Sequence, residues 1–264
     1  MMSVQWGSAT DPGRVREINE DSYLVAPNVF VVADGMGGHA AGEVASAMAV
    51  GEFRALAERS ELRTDEIVDA ITRANRQILE SGKMHDSRRG MGTTLAGLAV
   101  VRAGGASHWA VFNIGDSRVY RYVHGELHQV SVDHSEVQEL ISGGYITPEQ
   151  AKTHPDRNVV TRSLGTDPAP VPDVWVLPPI AGERFLICSD GLSRELDDTE
   201  IEKILHREPI AQEAATALVM RAIDAGGRDN ITVVVIDFAG SLTDGLAYEI
   251  DEDTAPRQRG LVGF

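Results

Sequence analysis

The sequence predicts an α+β protein in which antiparallel β-sheet carries helices packed on its faces. Six apolar runs have the composition of β-strands, and they cover residues 29–33, 94–101, 108–114, 118–123, 184–188 and 231–238. Four strand-like segments follow one another between residues 94 and 130, where VHGEL predicts a hairpin turn centred near Gly125. Successive strands without intervening helices are typical of antiparallel sheet, because parallel strands need long crossover connections.

Helical patterns account for much of the remaining chain. After Thr64, which we expect to cap a helix, acids occupy the first turn and apolar residues recur on one face as far as Ser81-Gly82. Asp133 and Glu136 have the spacing of a capping box and predict a second, short helix. Further helices are predicted over residues 42–59, 198–207 and 210–225.

The composition limits the possible partners. The chain has 264 residues, a formal net charge of −16 and one cysteine, Cys188. Nucleic acids and anionic membranes are bound by basic surfaces, so this charge argues against both as partners. A single cysteine excludes an internal disulfide and fits a reducing compartment, and we expect Cys188 to be an inert buried thiol in the middle of a strand.

The ends of the chain differ from its centre. The N-terminal residues show no basic region followed by an apolar stretch, and no apolar run approaches the about 20 residues that span a bilayer. We therefore predict a cytoplasmic protein without a signal peptide or membrane span. From residue 241 to 264 the periodicity fades into five acids and two arginines, which predicts an acidic, weakly ordered tail.

Four aspartates stand at the boundaries of apolar strands. Asp34, Asp116 and Asp190 each end a strand beside glycine, and Asp229 immediately precedes the last strand. Any one of them alone is typical of a turn. Strand ends can converge at one edge of a layered sheet protein, however, and crowded carboxylates repel one another unless a cation neutralises them. Oxygen ligands without cysteine or clustered histidine favour Mg²⁺ or Mn²⁺ over zinc.

The glycines after Asp34 allow two other interpretations. Asp-Gly is a common hairpin dipeptide, and residues 35–40 match the G-x-G-x-x-A pattern of dinucleotide sites. Two features count against the dinucleotide site. Asp34 would place a negative charge beside the pyrophosphate, and the predicted helix at 42–59 is followed by another helix rather than by a strand that ends in an acid.

Eight blocks of the sequence together resemble the metal-dependent protein phosphatases, the type 2C Ser/Thr phosphatases, in their bacterial form. They are GRVREINEDSY (13–23), VVADGMGGHAAGEVAS (31–46), GMGTTLAGL (90–98), NIGDSRVYR (113–121), VDHSEVQEL (132–140), NVVTRSLG (158–165), CSDGLS (188–193) and GRDNITVVV (227–235). The resemblance implies a four-layer α-β-β-α sandwich, with two antiparallel sheets flanked by helices and a metal centre at one end. It also implies a catalytic domain over residues 1–240 with a small flap subdomain at about 131–165.

The same resemblance implies a ligand set for two ions of Mn²⁺ or Mg²⁺. Asp34 is expected to bridge the two ions, Asp190 and Asp229 to complete the first, and the carbonyl of Gly35 to reach the second. A glycine suits this place because its backbone can approach an ion closely.

Three further residues complete the implied metal centre. Asp116, together with Asp190, is expected to hold a third and weaker ion. Glu20 and Asp21 are expected at the rim, where they would bind metal-bound waters.

Arg16 and His39 are the implied catalytic residues. Arg16 matches the phosphate-binding arginine of the family, and a guanidinium suits bidentate contact with a phosphate. His39 is expected to protonate the leaving oxygen of serine or threonine. Three residues separate it from the Asp-Gly pair, whereas in many eukaryotic relatives the histidine follows that pair directly, so a structural role at a helix start is the alternative.

The implied activity is metal-dependent hydrolysis of phosphoserine and phosphothreonine in proteins, which reverses Ser/Thr kinase signalling in a bacterial cell. The expected partners are phosphorylated proteins, including bacterial Ser/Thr kinases, and the chain is expected to be a monomer. Two alternatives remain. One is an inactive binding module of the same fold, and the other is a phosphatase of anti-sigma-factor antagonists.

Overall fold

The computed structural model of the chain describes residues 4–37 and 41–240. Within these residues the strands form two antiparallel sheets. The first sheet, in spatial order, contains β1 (Val4–Asp11), β11 (Ile231–Phe238), β10 (Glu183–Cys188), β7 (Arg118–Val123) and β8 (Glu126–Gln129). The second contains β2 (Asp21–Ala26), β3 (Val29–Met36), β5 (Leu95–Ala103), β6 (Ala106–Ile114) and β9 (Asp173–Leu177), and the short β4 (Gly92–Thr93) pairs with the end of β3.

Helices cover the outer face of each sheet. Apolar side chains of α1 (Ala41–Ala57) and α2 (Thr64–Met84) pack on the second sheet. Those of α6 (Asp198–Arg207) and α7 (Ala211–Ala225) pack on the first sheet. The short helices α3 (Glu136–Ser142), α4 (Pro148–Ala151) and α5 (Asp190–Ser193) lie in the connections. The layers therefore run helix, sheet, sheet, helix, which confirms the predicted four-layer sandwich.

The central strands are buried on both faces. In β3, Val29 and Val31 pack against the helices, whereas Phe30 and Val32 point between the two sheets. Alternate side chains of a strand point to opposite faces, so a strand covered on both sides must be apolar at nearly every position. This arrangement explains why such strands are continuous apolar runs in the sequence.

Apart from the two-residue β4, the strands that the sequence did not predict are edge strands. β1, β2 and β9 each lie at the edge of a sheet, while the apolar runs lie further inside. Only one residue of β1 is fully buried, and the residues of β9 are all at least partly exposed. An edge strand buries less of its surface, so its hydrophobic pattern is weaker.

Several helix boundaries differ from the prediction. α1 ends at Ala57 rather than at residue 59, and the N-cap of α2 is Arg63 rather than Thr64. α2 does not stop at Ser81-Gly82 but continues to Met84, because the next turn folds back on it: Arg88 donates to the Ser81 hydroxyl at 3.0 Å. α3 has no Asp133–Glu136 capping box. Its N-cap is Ser135, whose hydroxyl accepts from the backbone N–H of Gln138.

The structure also bears on the predictions for Cys188, for the C-terminal tail and for membrane spans. Cys188 is buried as predicted, and burial raises its pKa to about 12, but it ends β10 rather than lying in the middle of the strand. The predicted tail, 241–264, lies outside the described residues. Among the residues that are described, no helix has the length and apolar character needed to cross a membrane.

A buried polar cluster joins the two sheets. The Glu183 carboxylate in β10 accepts from the indole N–H of Trp109 in β6 and from Arg121 in β7, both at 2.6 Å. It also accepts from the backbone N–H of Ile180 at 2.8 Å. Glu183 is only 1% exposed, so it depends on these donors for the hydrogen bonds that water would otherwise supply.

Replacing this carboxylate should cost much of the stability of the fold. Glu183→Ala leaves Arg121 and the Trp109 N–H without their acceptor, and loss of one partner of a buried ion pair typically costs about 3–5 kcal/mol. Glu149→Ala is the matched control, because Glu149 pairs with Lys152 on the surface and such pairs contribute about 0–1 kcal/mol. Urea unfolding followed by circular dichroism measures both losses. Equal losses in the two variants would contradict a role for Glu183 in joining the sheets.

Candidate metal centre

The fold brings the four predicted aspartates to one end of the sandwich. Asp34 lies near the end of β3, Asp116 follows β6, Asp190 follows β10, and Asp229 precedes β11. One guanidinium, that of Arg194, lies within 3.5 Å of Asp116, Asp190 and Asp229. Asp34 experiences the charges of the same three carboxylates.

A fifth aspartate joins the group from the neighbouring strand. Asp21 on β2 is paired directly opposite Asp34 in the antiparallel ladder. One oxygen of Asp21 accepts from the hydroxyl of Ser189, the residue before Asp190, at 2.7 Å. Like charges opposite each other in a ladder are destabilising, so this arrangement needs a cation or bound protons.

Burial and mutual repulsion shift the titration of these groups. Burial, and then the negative charges of the neighbouring aspartates, raise the pKa of Asp34 well above its ordinary value. Burial and Asp116 do the same for the pKa of Asp190, although Arg194 opposes the shift. Burial raises the pKa of Asp21 to about 6, despite the hydrogen bonds that its carboxylate accepts. The site therefore disfavours its own negative charge when no cation is bound.

Several carboxylate oxygens of these aspartates have no hydrogen-bond partner in the protein. Among the described residues, one oxygen each of Asp21, Asp116 and Asp190 is buried and accepts no hydrogen bond. A buried carboxylate oxygen without a donor is costly unless a cation or an ordered water satisfies it. An all-oxygen set of this kind fits Mg²⁺ or Mn²⁺ by its chemistry.

Arg194 is the site residue that sequence reasoning missed. It follows α5 and lies four residues after Asp190, which places both side chains on the same side of one helical turn. Its Nη2 atom contacts Asp190 and lies 3.3 Å from Asp116, and its Nη1 atom lies 3.5 Å from Asp229. The i,i+4 spacing to Asp190 was the available signal, but it does not reveal the contacts with Asp116 and Asp229.

Arg16 lies at the edge of the site and pairs with Asp229. Its Nε and Nη2 atoms lie 2.8 Å and 2.9 Å from the two carboxylate oxygens, so the guanidinium makes a bidentate contact. The hydrogen bond to Asp229, followed by the charge of that residue, raises the pKa of Arg16. The side chain of Arg16 is 53% exposed, which leaves it open to a ligand from solvent.

Asn230, next to Asp229, fixes the segment that carries Arg16. Its side-chain N–H groups donate to the carbonyl oxygens of Pro12 and Ile18, and its side-chain oxygen accepts from the backbone N–H of Glu20. The motif GRDN is part of the block that resembles the phosphatase family, but the resemblance implies a role only for its aspartate, Asp229. The asparagine positions the loop that leads from β1 to the site.

Close packing requires glycine at position 35, in addition to the predicted approach of its backbone to an ion. A Cβ atom there would lie 2.2 Å from the carbonyl oxygen of Gly42 and 2.5 Å from that of Glu20. The Glu20 side chain in turn accepts from the backbone N–H of Gly42, at the start of α1, at 3.1 Å. Close packing of three backbone segments therefore excludes a side chain at Gly35.

Arginines, rather than a preformed cage, neutralise the carboxylates in this structure. In residues 4–37 and 41–240, no three His, Cys, Asp or Glu side chains enclose a point where an ion fits. Arg16 and Arg194 hold Asp229 and Asp190 instead. Binding of an ion at Asp229 therefore requires the Arg16–Asp229 pair to rearrange. His39 lies outside the described residues, so its role stays a prediction.

A groove of about 1240 Å³ runs from the aspartates along the segment 131–165. Its walls include Arg16, Asp116, Asp190 and Asp229 at one end, and side chains of α3, α4 and the start of α6 along its length. Its lining also includes the basic residues Lys152, Arg157 and Arg228. The groove is large enough to admit a polypeptide segment.

Comparison with known proteins gives consistent matches. The family model described as protein phosphatase 2C matches residues 16–222. The serine/threonine phosphatase Stp of Listeria welshimeri is 38% identical over 239 residues, which are 86% of this chain and 93% of that protein. The serine/threonine protein phosphatase PstP of Mycobacterium tuberculosis is 40% identical over 237 residues, which are 89% of this chain and 45% of that protein.

Solved structures show the same fold. The crystal structure of the Mycobacterium tuberculosis serine/threonine phosphatase PstP/Ppp matches with a TM-score of 0.83 and 37% identity, over 90% of this chain and 99% of that one. The catalytic domain of PstP in complex with two manganese ions matches with a TM-score of 0.82 and 35% identity, over 91% of this chain and 100% of that one. The resemblance drawn from the sequence blocks is thereby confirmed, and the chain belongs to the protein phosphatase 2C family of metal-dependent protein phosphatases.

Proposed function

We propose that this chain hydrolyses phosphoserine and phosphothreonine in proteins and so reverses Ser/Thr kinase signalling in a bacterial cell. Its family supports the reaction, and the names of its bacterial relatives support the substrate class. The observation that carries the proposal is the group of buried carboxylate oxygens without protein donors at one end of the sandwich. Such oxygens suit the hard divalent ions that phosphoryl transfer requires.

Two ions of Mn²⁺ or Mg²⁺ are the proposed cofactor. The two manganese ions in the PstP structure support this number and this metal. When bound, two such ions lower the pKa of a water and neutralise the oxygens of a phosphomonoester. The proposed ligands are Asp34, the carbonyl of Gly35, Asp190 and Asp229, with Glu20 and Asp21 on metal-bound waters.

Arg16 is proposed to bind the substrate phosphate. Its guanidinium is engaged by Asp229 in the structure. Once the charge of Asp229 is neutralised by a cation, this ion pair weakens, and the planar fork of Arg16 becomes available for two hydrogen bonds to a phosphate. Phosphate binding at Arg16 is thereby coupled to occupation of the metal site.

His39 is proposed to donate a proton to the leaving serine or threonine oxygen, which is a poor leaving group as an alkoxide. The groove beside the aspartates is proposed to hold the polypeptide around the phosphorylated residue. The segment 131–165 borders that groove and is proposed to act as the flap that governs substrate choice. Phosphorylated proteins, including Ser/Thr kinases, are the proposed substrates of a monomeric enzyme.

If the proposal is correct, the protein releases phosphate from a phosphopeptide only when a divalent metal is present and Asp34 is intact. With a phosphothreonine peptide and Mn²⁺ we expect hydrolysis, which EDTA abolishes. Asp34→Asn should reduce kcat/KM by ~10²-fold or more, since even outer-shell partners of metal ligands are worth about 10–100-fold. Asp65→Asn is the control, because Asp65 lies on α2 and pairs with exposed Arg63.

The readout for this comparison is inorganic phosphate measured by a colorimetric assay. Full hydrolysis after exhaustive chelation would contradict the metal-dependent reaction. Binding of Mn²⁺ with no hydrolysis of any phosphopeptide would favour the inactive binding module.

A comparison of leaving groups tests His39 as the proton donor. General acid catalysis contributes typically ~10²–10⁴-fold, and nitrophenolate leaves without needing a proton. His39→Ala should therefore lose far more kcat on a phosphothreonine peptide than on p-nitrophenyl phosphate, while the exposed His85→Ala should lose little on either. If kcat falls by the same factor on both substrates, His39 is not the proton donor and has a structural role instead.

A further inference from the structure

We propose that Arg194 supplies a fixed positive charge between Asp116 and Asp190, so that this chain binds two divalent ions and not a third. The inference rests on the metal site of the proposed function. It departs from the third ion that the sequence resemblance implies, because the residues expected to hold that ion already share a cation of the chain itself.

The geometry places one guanidinium against both carboxylates. Nη2 of Arg194 contacts Oδ2 of Asp190 and lies 3.3 Å from Oδ2 of Asp116. The backbone helps to fix this position, since the N–H of Arg194 donates to the carbonyl of Asp190 at 2.9 Å. A short helical turn therefore carries an anion at its start and the matching cation at its end.

The contacts divide the carboxylate oxygens into two sets. Arg194 approaches the Oδ2 atoms of Asp116 and Asp190, whereas the Oδ1 atom of each is buried and accepts no hydrogen bond within the described residues. A guanidinium never loses its proton in a protein. Hence the Oδ1 atoms stay available to ions while the space between the Oδ2 atoms stays positive. A divalent ion shared by Asp116 and Asp190 would meet this charge at contact distance and be repelled.

Arg194 differs in this respect from the other arginines of the groove. Arg16 pairs with Asp229 and touches neither Asp116 nor Asp190 in the contacts of the described residues. Arg228 pairs with Glu195 through a bidentate contact, and its side chain is 71% exposed. Arg194 is 33% exposed and lies against carboxylates that are almost fully buried. One of its terminal nitrogens therefore bridges Asp116 and Asp190, while the other lies 3.5 Å from Asp229.

The number of bound ions tests the proposal. Equilibrium dialysis against MnCl₂, followed by elemental analysis, should give two Mn²⁺ per chain for the wild type and three for Arg194→Ala. Arg228→Ala removes the same charge without touching the aspartates and should keep two. Arg194→Lys retains a cation and should also keep two. Three ions in the wild type, or two in Arg194→Ala, would overturn the proposal.

A second variant covers the case in which Arg194→Ala does not fold, and a second readout applies where it does fold. Asp116→Asn should leave the count at two, since no ion depends on Asp116, whereas a fall from three to two would place an ion there and overturn the proposal. In EDTA, Arg194→Ala should unfold at a lower temperature than Arg228→Ala, and Mn²⁺ should raise its melting temperature by more than that of the wild type. An equal response of all three proteins to EDTA and Mn²⁺ would contradict the role of Arg194.

The same experiment separates this proposal from the proposed function. A wild type that binds fewer than two Mn²⁺ and hydrolyses no phosphopeptide overturns the metal-dependent activity itself. A wild type that hydrolyses phosphopeptide with three ions bound overturns only the role of Arg194.

Discussion

Repulsion among carboxylates at one end of the sandwich is the constraint on which the functional part of this structure depends. The strands are apolar along their length but end in aspartates, and the antiparallel ladder sets Asp21 directly opposite Asp34. Asp190 enters the same region from the other sheet. Such a cluster of negative charges is unfavourable by itself, and burial, together with this repulsion, raises the pKa values of Asp21, Asp34 and Asp190. Cations, whether guanidinium groups of the chain or divalent ions, are what make it tolerable.

The rest of the fold holds these groups in place against their repulsion. Strands buried on both faces form apolar cores between the two sheets and between each sheet and its helices. Glu183 joins the sheets through Trp109 and Arg121. Near the site, Asn230 ties the loop of Arg16 and Glu20 to the start of β11. The packed sheets and these hydrogen bonds therefore hold the carboxylates close together despite their mutual repulsion.

The sequence predicted the interior of the fold and the anionic part of the site. Continuous apolar strands, the apolar face of α2 and the aspartates at strand boundaries all leave local patterns in the chain. The edge strands and the position of Arg194 do not. Asp116 and Arg194 are separated by 78 residues, and their contact exists only because two sheets meet. Gly35 shows a related limit, since its tight packing against Gly42 and Glu20 is a tertiary feature that no short motif reveals.

The measurement that tests the central constraint most directly is the stability of the metal-free protein with one of the crowded charges removed. The pKa of Asp34 is raised in the folded state, so its charged form opposes folding at high pH, and this penalty disappears as the pH falls through the folded-state pKa. Asp34→Asn should therefore unfold at higher urea concentration than the wild type in EDTA at pH 8, and this gain should shrink at pH 5.5. The exposed Asp65, whose pKa the hydrogen bond to Arg63 lowers, provides the control Asp65→Asn, which should show no gain at pH 8. Loss of stability in Asp34→Asn at both pH values would contradict the account.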